Sequence, residues 1–191
     1  MNRYKPLPSM ALADIGLIER PDHSQPLTTD SPALDVLTDF REQQPLMLEQ
    51  STPLDEAIEL MKRTHEKLKL VIDASETFRG VISLADLLSV KVMRASQVTG
   101  LGRRDLTVAD VMTPRAALHA VDFRELKSAR IGDLLSTMKD FGDRYVLVVD
   151  SQLCSIRGMV AASDIARGLH IPVQIGERAN TFSDIYNAVR A

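Results

Sequence analysis

The chain has 191 residues, with a net charge of −3, 45% hydrophobic residues and 26% charged residues. This composition is typical of an ordinary globular protein, long enough for one domain or for two small ones. The charge excludes a general nucleic-acid binder, which needs a clustered basic surface. No apolar run approaches the roughly 20 residues of a membrane span, so we expect no membrane partner.

The single cysteine, Cys154, excludes an intrachain disulfide and a cysteine-based metal site. The four histidines are scattered without the spacing of metal ligands. An early apolar run at residues 10–13 is followed at once by Asp14, which does not fit a secretory signal. We therefore expect a protein of the reducing cytoplasm.

The chain begins with a stretch that is interrupted by prolines and shows no sustained period, which predicts an N-terminal arm over residues 1–32. Asp30-Ser31-Pro32 predicts the start of a short helix, with a cap and a proline near the first helical position. Leu46-Met47-Leu48 predicts a short strand. Ser51-Thr52-Pro53 predicts a second helix start, with a hydroxyl cap before two acids in the first turn.

Strands and a helix follow in the order that completes one unit. Strands are predicted over residues 68–73 and 78–82 on either side of a polar turn, and a helix over residues 83–93. The stretch 97–106 carries two glycines and two arginines and is typical of a linker. The unit is therefore strand, helix, strand, strand, helix.

The same series then returns in altered form. Ala109-Asp110-Val111-Met112-Thr113 repeats the pattern of Leu34-Asp35-Val36-Leu37-Thr38, and a strand over residues 145–150 repeats the one over 68–73. A longer connection over residues 122–130 is expected to be a surface loop.

Matching aspartates measure the offset between the two copies. Asp150 lies 77 residues after Asp73, and Asp164 lies 78 residues after Asp86. Two diverged copies at a nearly constant offset indicate a tandem repeat. Each copy also places an aspartate where a strand ends and a helix begins. Unpaired N–H groups at such a helix start, beside a carboxylate, predict a place for a nucleotide.

The two copies resemble a pair of CBS domains, a regulatory motif first described in cystathionine β-synthase, that together form one Bateman module. The resemblance rests on Asp110-Val111-Met112-Thr113-Pro114, on the helix over residues 54–61 and on Gly80-Val81-Ile82-Ser83-x-x-Asp86. It implies an α+β fold in which two strand-helix-strand-strand-helix repeats pack about a pseudo-twofold axis. The corresponding division is an arm at 1–32, CBS domain 1 at 33–96, a linker at 97–106, CBS domain 2 at 107–171 and a C-terminal helical tail at 172–191.

The resemblance also implies a function. Similar modules bind adenosine-containing ligands in the clefts between their repeats and form homodimers. We therefore expect a non-catalytic, regulatory small-molecule sensor that binds AMP, ADP, ATP or S-adenosylmethionine, with a metal only alongside ATP.

The family motif places its Asp on the ribose hydroxyls and its Thr or Ser near the phosphates. In this chain the resemblance assigns those roles to Ser83 and Asp86 in the first copy and to Asp164 in the second. Ala161 stands where the second copy should have a hydroxyl, so the first copy is expected to be the better site. Ser83 and Asp86 also form a capping box, and this structural interpretation stays open beside ligand binding.

Three further residues are site candidates by analogy. Lys67 and Arg144 each lie six residues before a strand-ending aspartate and are candidate phosphate partners. The planar guanidinium of Arg144 suits a phosphate, and Tyr145 beside it offers an aromatic wall for adenine. The alternative for both cations is an ordinary solvated surface charge.

Two other classes of function stay open. One is an interaction or dimerisation scaffold with degenerate ligand sites, for which Ala161 and the arm offer support, acting on an unknown protein partner. The other is an enzyme, which lacks support because the sequence shows no nucleophile with a base, no metal cluster and no Walker-type loop.

Overall fold

The computed structural model describes residues 9, 16–17, 26–64, 67–142 and 144–170. Most of the predicted arm and the whole predicted tail at 172–191 lie outside the described residues. The strands are β1 (Thr38–Asp39), β2 (Met47–Glu49), β3 (Leu68–Ile72), β4 (Phe78–Ser83), β5 (Thr113–Pro114), β6 (Ala120–Asp122), β7 (Tyr145–Asp150) and β8 (Ser155–Ala161). The α-helices are α1 (Leu54–Arg63), α2 (Leu84–Leu87), α3 (Val90–Thr99), α4 (Val108–Val111), α5 (Phe123–Ser128), α6 (Ile131–Phe141) and α7 (Ala162–Gly168).

The strands form two four-stranded sheets, in the orders β2-β3-β4-β5 and β1-β8-β7-β6. The pairs β2–β3 and β6–β7 are parallel, and the remaining pairs are antiparallel. Each sheet takes one two-residue strand from outside its own repeat. The strand β1 lies in the first repeat but pairs with β8 of the second, and β5 lies in the second repeat but pairs with β4 of the first.

The exchanged strands approach two glycines closely. A Cβ atom on Gly80 would collide with the carbonyl oxygen of Thr113, and a Cβ atom on Gly158 would collide with that of Thr38. Because a backbone oxygen cannot turn aside as a side chain can, both positions require glycine.

Each sheet buries one face under helices of its own repeat. The buried face of α1 consists of Leu54, Ala57, Ile58 and Met61, and that of α6 of Ile131, Leu134, Leu135 and Met138, as the helical spacing of apolar residues predicted. A third cluster, with Leu70, Val81 and Leu147 at its centre, joins the two sheets. The inner faces of the sheets therefore pack on each other.

An ion pair fastens β1 to β8. The Arg157 guanidinium donates from Nε to Asp39 Oδ1 at 2.8 Å and from Nη2 to Asp39 Oδ2 at 2.6 Å. These hydrogen bonds lower the pKa of the Asp39 carboxyl below its usual value. The same guanidinium lies 4.5 Å from the ring centre of Phe123, which adds a cation–π contact.

Several local predictions are wrong. The helix predicted over 83–93 is two helices, because Ser89 starts a second one by accepting a hydrogen bond from the Lys91 N–H at 3.1 Å. The connection at 122–130 contains α5, which Asp122 caps by accepting from the Arg124 N–H at 2.8 Å.

The proposed hydroxyl cap of α1 is also absent. Pro53 occupies the N-cap position of α1 without a side-chain hydrogen bond, and Pro32 does the same for the short 3₁₀ turn at Ala33–Val36. Proline at these positions fixes the backbone φ angle but offers no acceptor. The stretch predicted as a linker is largely helical, since α3 runs to Thr99 and a 3₁₀ turn covers Arg103–Asp105.

Candidate functional site

A cavity of about 910 Å³ lies between the two repeats, and we call it the inter-repeat cavity. Its wall from the first repeat includes Leu46, Leu68 and Leu70, at the edge of the sheet that contains β3. The exchanged strand β1 and the chain around it contribute a further wall. The residues that line it from the second repeat are Met159, Asp164, Arg167, Gly168 and His170. The cavity therefore exists only because the two repeats face each other.

Asp164 supplies the carboxylate of this cavity. It lies in the first turn of α7, directly after β8, and 29% of its side chain is exposed. Burial raises the pKa of this carboxyl, while the charges of Arg167 and Lys67 and a hydrogen bond from the Ala161 N–H act in the opposite direction. The site thus combines an aspartate of the second repeat with a lysine of the first.

The other groups around the cavity divide into polar and apolar sets. The polar set consists of Asp35, Thr38, Gln43, Gln44, Arg167 and His170. The apolar set consists of Leu27, Val36, Leu37, Phe40, Leu46, Leu68, Leu70 and Met159. A carboxylate, hydroxyl and amide groups, the Arg167 guanidinium and apolar walls together provide the chemistry to bind a polar organic anion that also has an apolar face.

The corresponding residues of the first repeat bond to one another. The Ser83 hydroxyl donates to Asp86 Oδ2 at 2.6 Å, and the Asp86 N–H donates to Ser83 Oγ at 3.0 Å. The Ser83 N–H completes the capping box by donating to Asp86 Oδ2 at 3.3 Å. The other oxygen, Asp86 Oδ1, lies 2.6 Å from Lys91 Nζ. Protein groups therefore contact both oxygens of the Asp86 carboxylate.

The remaining predicted site residues are placed as follows. Ala161 is the N-cap residue of α7 and makes no side-chain cap. Lys67 and Arg144 are exposed and stand just before β3 and β7, where their carbonyl oxygens accept hydrogen bonds from the N–H groups of Leu84 at 2.9 Å and of Ala162 at 2.8 Å. Tyr145 is half-buried in the cluster between the sheets.

Most residues that line the inter-repeat cavity were not predicted as site residues, and neither was Lys91. Thr38 and Arg167 line the cavity, Leu27 forms part of its wall, and Lys91 contacts Asp86. The repeated pattern at residues 34–38 and 109–113 could have indicated Thr38 as a site residue, because both copies end in threonine. Arg167 follows Asp164 by one helical turn, so the (i, i+3) spacing also carried a signal.

No group of three or more His, Cys, Asp or Glu side chains able to hold a metal ion occurs among the residues that the structure describes. Within the same part of the chain, no helix has the length and apolarity needed to cross a membrane.

Comparisons with known proteins identify the type of domain. Residues 29–92 match the family profile of the CBS domain. A search of curated proteins found no match. Among solved structures, an uncharacterised conserved protein from Pyrococcus horikoshii is similar with a TM-score of 0.55 and 19% identity, over 78% of this chain and 100% of that one.

Two further structures are of CBSX2. One, in complex with AMP, has a TM-score of 0.52 and 24% identity over 72% of this chain and 94% of that one. The other, the CBS-pair protein CBSX2 from Arabidopsis thaliana, has a TM-score of 0.50 and 26% identity over 73% of this chain and 94% of that one. The resemblance to a CBS domain is confirmed for residues 29–92, and the α+β class is confirmed by the similarity in fold to CBS-pair structures.

Proposed function

We propose that the chain is a regulatory, non-catalytic protein that binds an adenosine-containing ligand in the inter-repeat cavity. The observation that carries this proposal is the cavity itself, in which the Asp164 carboxylate lies beside Arg167, while Lys67 of the first repeat is near enough to lower the pKa of that carboxyl. Its volume of about 910 Å³ falls within the range of small-molecule sites. The similar fold of CBSX2, which has been crystallised with AMP, supports an adenine nucleotide as the ligand.

Each part of a nucleotide has a matching group in the cavity. Asp164 is placed to accept hydrogen bonds from ribose hydroxyls, a role that acids also have in dinucleotide folds. Lys67 and Arg167 lie close enough to influence the Asp164 carboxyl and supply positive charge for phosphates. Phe40 and the leucines of the wall offer apolar faces for the base.

The charges favour a nucleotide over S-adenosylmethionine. A phosphate group gains from both Lys67 and Arg167, whereas the sulfonium of S-adenosylmethionine is itself a cation and is repelled by them. We therefore expect AMP, ADP or ATP to bind more tightly. The counterpart site would be formed by Ser83 and Asp86 of the first repeat with Arg144 and Tyr145 of the second, but Ser83 and Lys91 already contact the Asp86 carboxylate, so we propose the Asp164 side as the ligand site of the wild type.

Binding of such a ligand would act by shifting a population. A ligand that contacts both repeats stabilises the arrangement in which the cavity is formed, and it changes the equilibrium only as far as it prefers that arrangement. No bond in the ligand needs to break for this effect.

Isothermal titration calorimetry of the full chain with AMP, ADP, ATP and S-adenosylmethionine tests the proposal. Asp164→Asn should weaken AMP binding by roughly tenfold or more, because a hydrogen bond to a charged acceptor contributes about 1.5–3 kcal/mol. Asp86→Asn, at the same motif position of the other repeat, is the matched control and should bind as the wild type does. The proposal fails if the wild type binds none of the four ligands, or if Asp164→Asn binds AMP unchanged.

A dimerisation module is the second candidate function, and exposed apolar side chains on and beside α3 favour it. Leu88, Val90, Met93 and Val98 are 59%, 59%, 65% and 87% exposed. Sedimentation analysis of Val98→Asp should show a smaller species than the wild type if this surface joins two chains. An identical sedimentation coefficient for both proteins would count against a homodimer formed here.

A further inference from the structure

The two repeats differ at the positions that correspond to the proposed ligand site. At the sheet of the second repeat, Asp164 and Thr38 of the exchanged strand β1 both line the inter-repeat cavity. Their counterparts at the sheet of the first repeat are Asp86 and Thr113 of the exchanged strand β5, since β5 pairs with β4 as β1 pairs with β8. A ligand bound in the first repeat as proposed for the second would contact this second pair.

The ammonium group of Lys91 already lies between those two counterparts. Lys91 Nζ is 2.6 Å from Asp86 Oδ1 and 3.5 Å from Thr113 Oγ1. Lys91 is the second residue of α3, and its own N–H donates to Ser89 Oγ at 3.1 Å, which fixes where its side chain starts. The lysine thus offers a cation to the same carboxylate and hydroxyl that a nucleotide would contact.

The space on this side is correspondingly smaller. A cavity of about 400 Å³ is lined by Asp110, Val111, Met112 and Thr113, the counterparts of the wall at residues 35–38, and by Lys91. Asp86 does not line this cavity, whereas Asp164 lines the inter-repeat cavity. Lys91 thus both lines the smaller cavity and contacts Asp86.

The second repeat has no such amine at the matching position. Asp164 lies 78 residues after Asp86, and the same offset places Leu169 opposite Lys91. The ionic partner of Asp164 is instead Arg167, 3.3 Å away and 79% exposed. An exposed partner on the cavity wall leaves the interior open.

We propose that Lys91 closes the nucleotide site of the first repeat by occupying the positions of the ligand's polar groups. The chain then binds one nucleotide, at Asp164. The residues at the equivalent positions 91 and 169, lysine and leucine, decide which repeat can accept the ligand. This inference rests on the proposed function, since it concerns the counterpart of the same site.

Calorimetric stoichiometry with AMP on the full chain tests the inference. The wild type should bind one AMP per chain and Lys91→Met should bind two, because methionine keeps the aliphatic stem but removes the ammonium group. Asp164→Asn should retain only the site that is weakened roughly tenfold or more, and the double variant Lys91→Met/Asp164→Asn should regain one tight AMP site. Arg94→Met is the matched control, since Arg94 lines the same 400 Å³ cavity, and its stoichiometry should stay at one. Thermal unfolding checks that every variant is folded.

The outcomes separate this inference from the proposed function. A stoichiometry of one for Lys91→Met overturns the inference and leaves the Asp164 site standing. A wild type that binds two AMP, falling to one in Lys91→Met, makes Lys91 a ligand contact and also overturns it. A wild type that binds no AMP refutes the proposed function. If Lys91→Met then binds one AMP, closure by Lys91 is still supported. If Lys91→Met also binds no AMP, both the proposed function and this inference are overturned.

Discussion

Gly158→Ala is expected to weaken both the fold and the proposed nucleotide site. A Cβ atom at this position would collide with the carbonyl oxygen of Thr38 and lie 2.9 Å from Leu37 Cδ1. The leucine can rotate, but the carbonyl belongs to β1, so the strand itself must move. Gly80→Ala makes the matching change in the first repeat, where the Cβ atom would collide with the carbonyl oxygen of Thr113 and lie 3.1 Å from Pro114 Cα.

The expected loss of stability follows from two opposing effects. Overpacking against a fixed group costs about 1–3 kcal/mol. Alanine in a strand recovers about 0.5–1 kcal/mol relative to glycine, so the net loss is about 1 kcal/mol at the centre of these two ranges for each variant. In a chain of this size, each kcal/mol lowers the melting temperature by roughly 2–4 °C. Urea titration gives the free energy of unfolding, and Gly102→Ala is the control because its Cβ would meet only the side chain of Asp105, at 3.2 Å.

The two variants should differ in ligand binding although they are similar in stability. Thr38 lines the inter-repeat cavity, so a displaced β1 should weaken AMP binding in Gly158→Ala. Thr113 lies at the closed site, so Gly80→Ala should bind AMP as the wild type does. Wild-type stability for Gly158→Ala would refute the packing argument. Equal loss of AMP affinity in both variants would refute the assignment of the open site to the second repeat.

Three further variants test the charges and the wall of the cavity. Asp164→Asn should stabilise the ligand-free protein at pH 7, because burial raises the pKa of this carboxyl and so disfavours its ionised form in the folded state. This gain in the free energy of unfolding should vanish below the unfolded pKa of about 3.8, and a gain of equal size at pH 3 would contradict the reasoning. Asp39→Asn should destabilise the folded protein at pH 7, because the hydrogen bonds from Arg157 stabilise the ionised Asp39 and lower its pKa. The stabilisation by Asp39 is present above the unfolded pKa and is lost as the pH falls through the folded pKa. Urea titrations should therefore give free energies of unfolding for the variant and the wild type that converge in acid. Leu27→Ala should weaken AMP binding and destabilise the folded protein by about 1 kcal/mol, since Leu27 is a half-buried residue of the cavity wall that also packs on the hydrophobic core of the second repeat. An AMP affinity equal to that of the wild type in calorimetry would contradict its place in the wall.

The repeat made most of the fold predictable. The strand over residues 145–150 and the buried faces of α1 and α6 are where the alternation of elements and the helical spacing placed them. The exchange of β1 and β5 between the sheets was not predicted. A two-residue strand has no alternation to detect, and its partner is fixed only by the packing of the whole module.

Helix boundaries were less predictable because a short polar residue can either lie within a helix or cap the start of a new one. Ser89 lies within an apolar pattern that favours one helix, but its side chain caps a new one and separates α2 from α3. Asp122 similarly caps α5 in a stretch whose length alone suggested a loop. In both cases a local hydrogen bond decided between alternatives that the hydrophobic pattern left equal.

The site motif identified two aspartates, but residues outside the motif distinguish them. Asp86 has the complete motif, and the Ser83 hydroxyl holds its carboxylate in the capping box while Lys91 contacts the other oxygen. Asp164 has the incomplete motif, and the absence of a hydroxyl at Ala161 removes that internal partner. A hydroxyl that is expected to help bind a phosphate therefore also stabilises a conformation in which the acid bonds within the protein. Under the proposed closure by Lys91, alanine at residue 161 and leucine at residue 169 both leave the second repeat open. Motif completeness is consequently a poor guide to which of the two sites is available, and the residue five positions after the aspartate has to be considered with it.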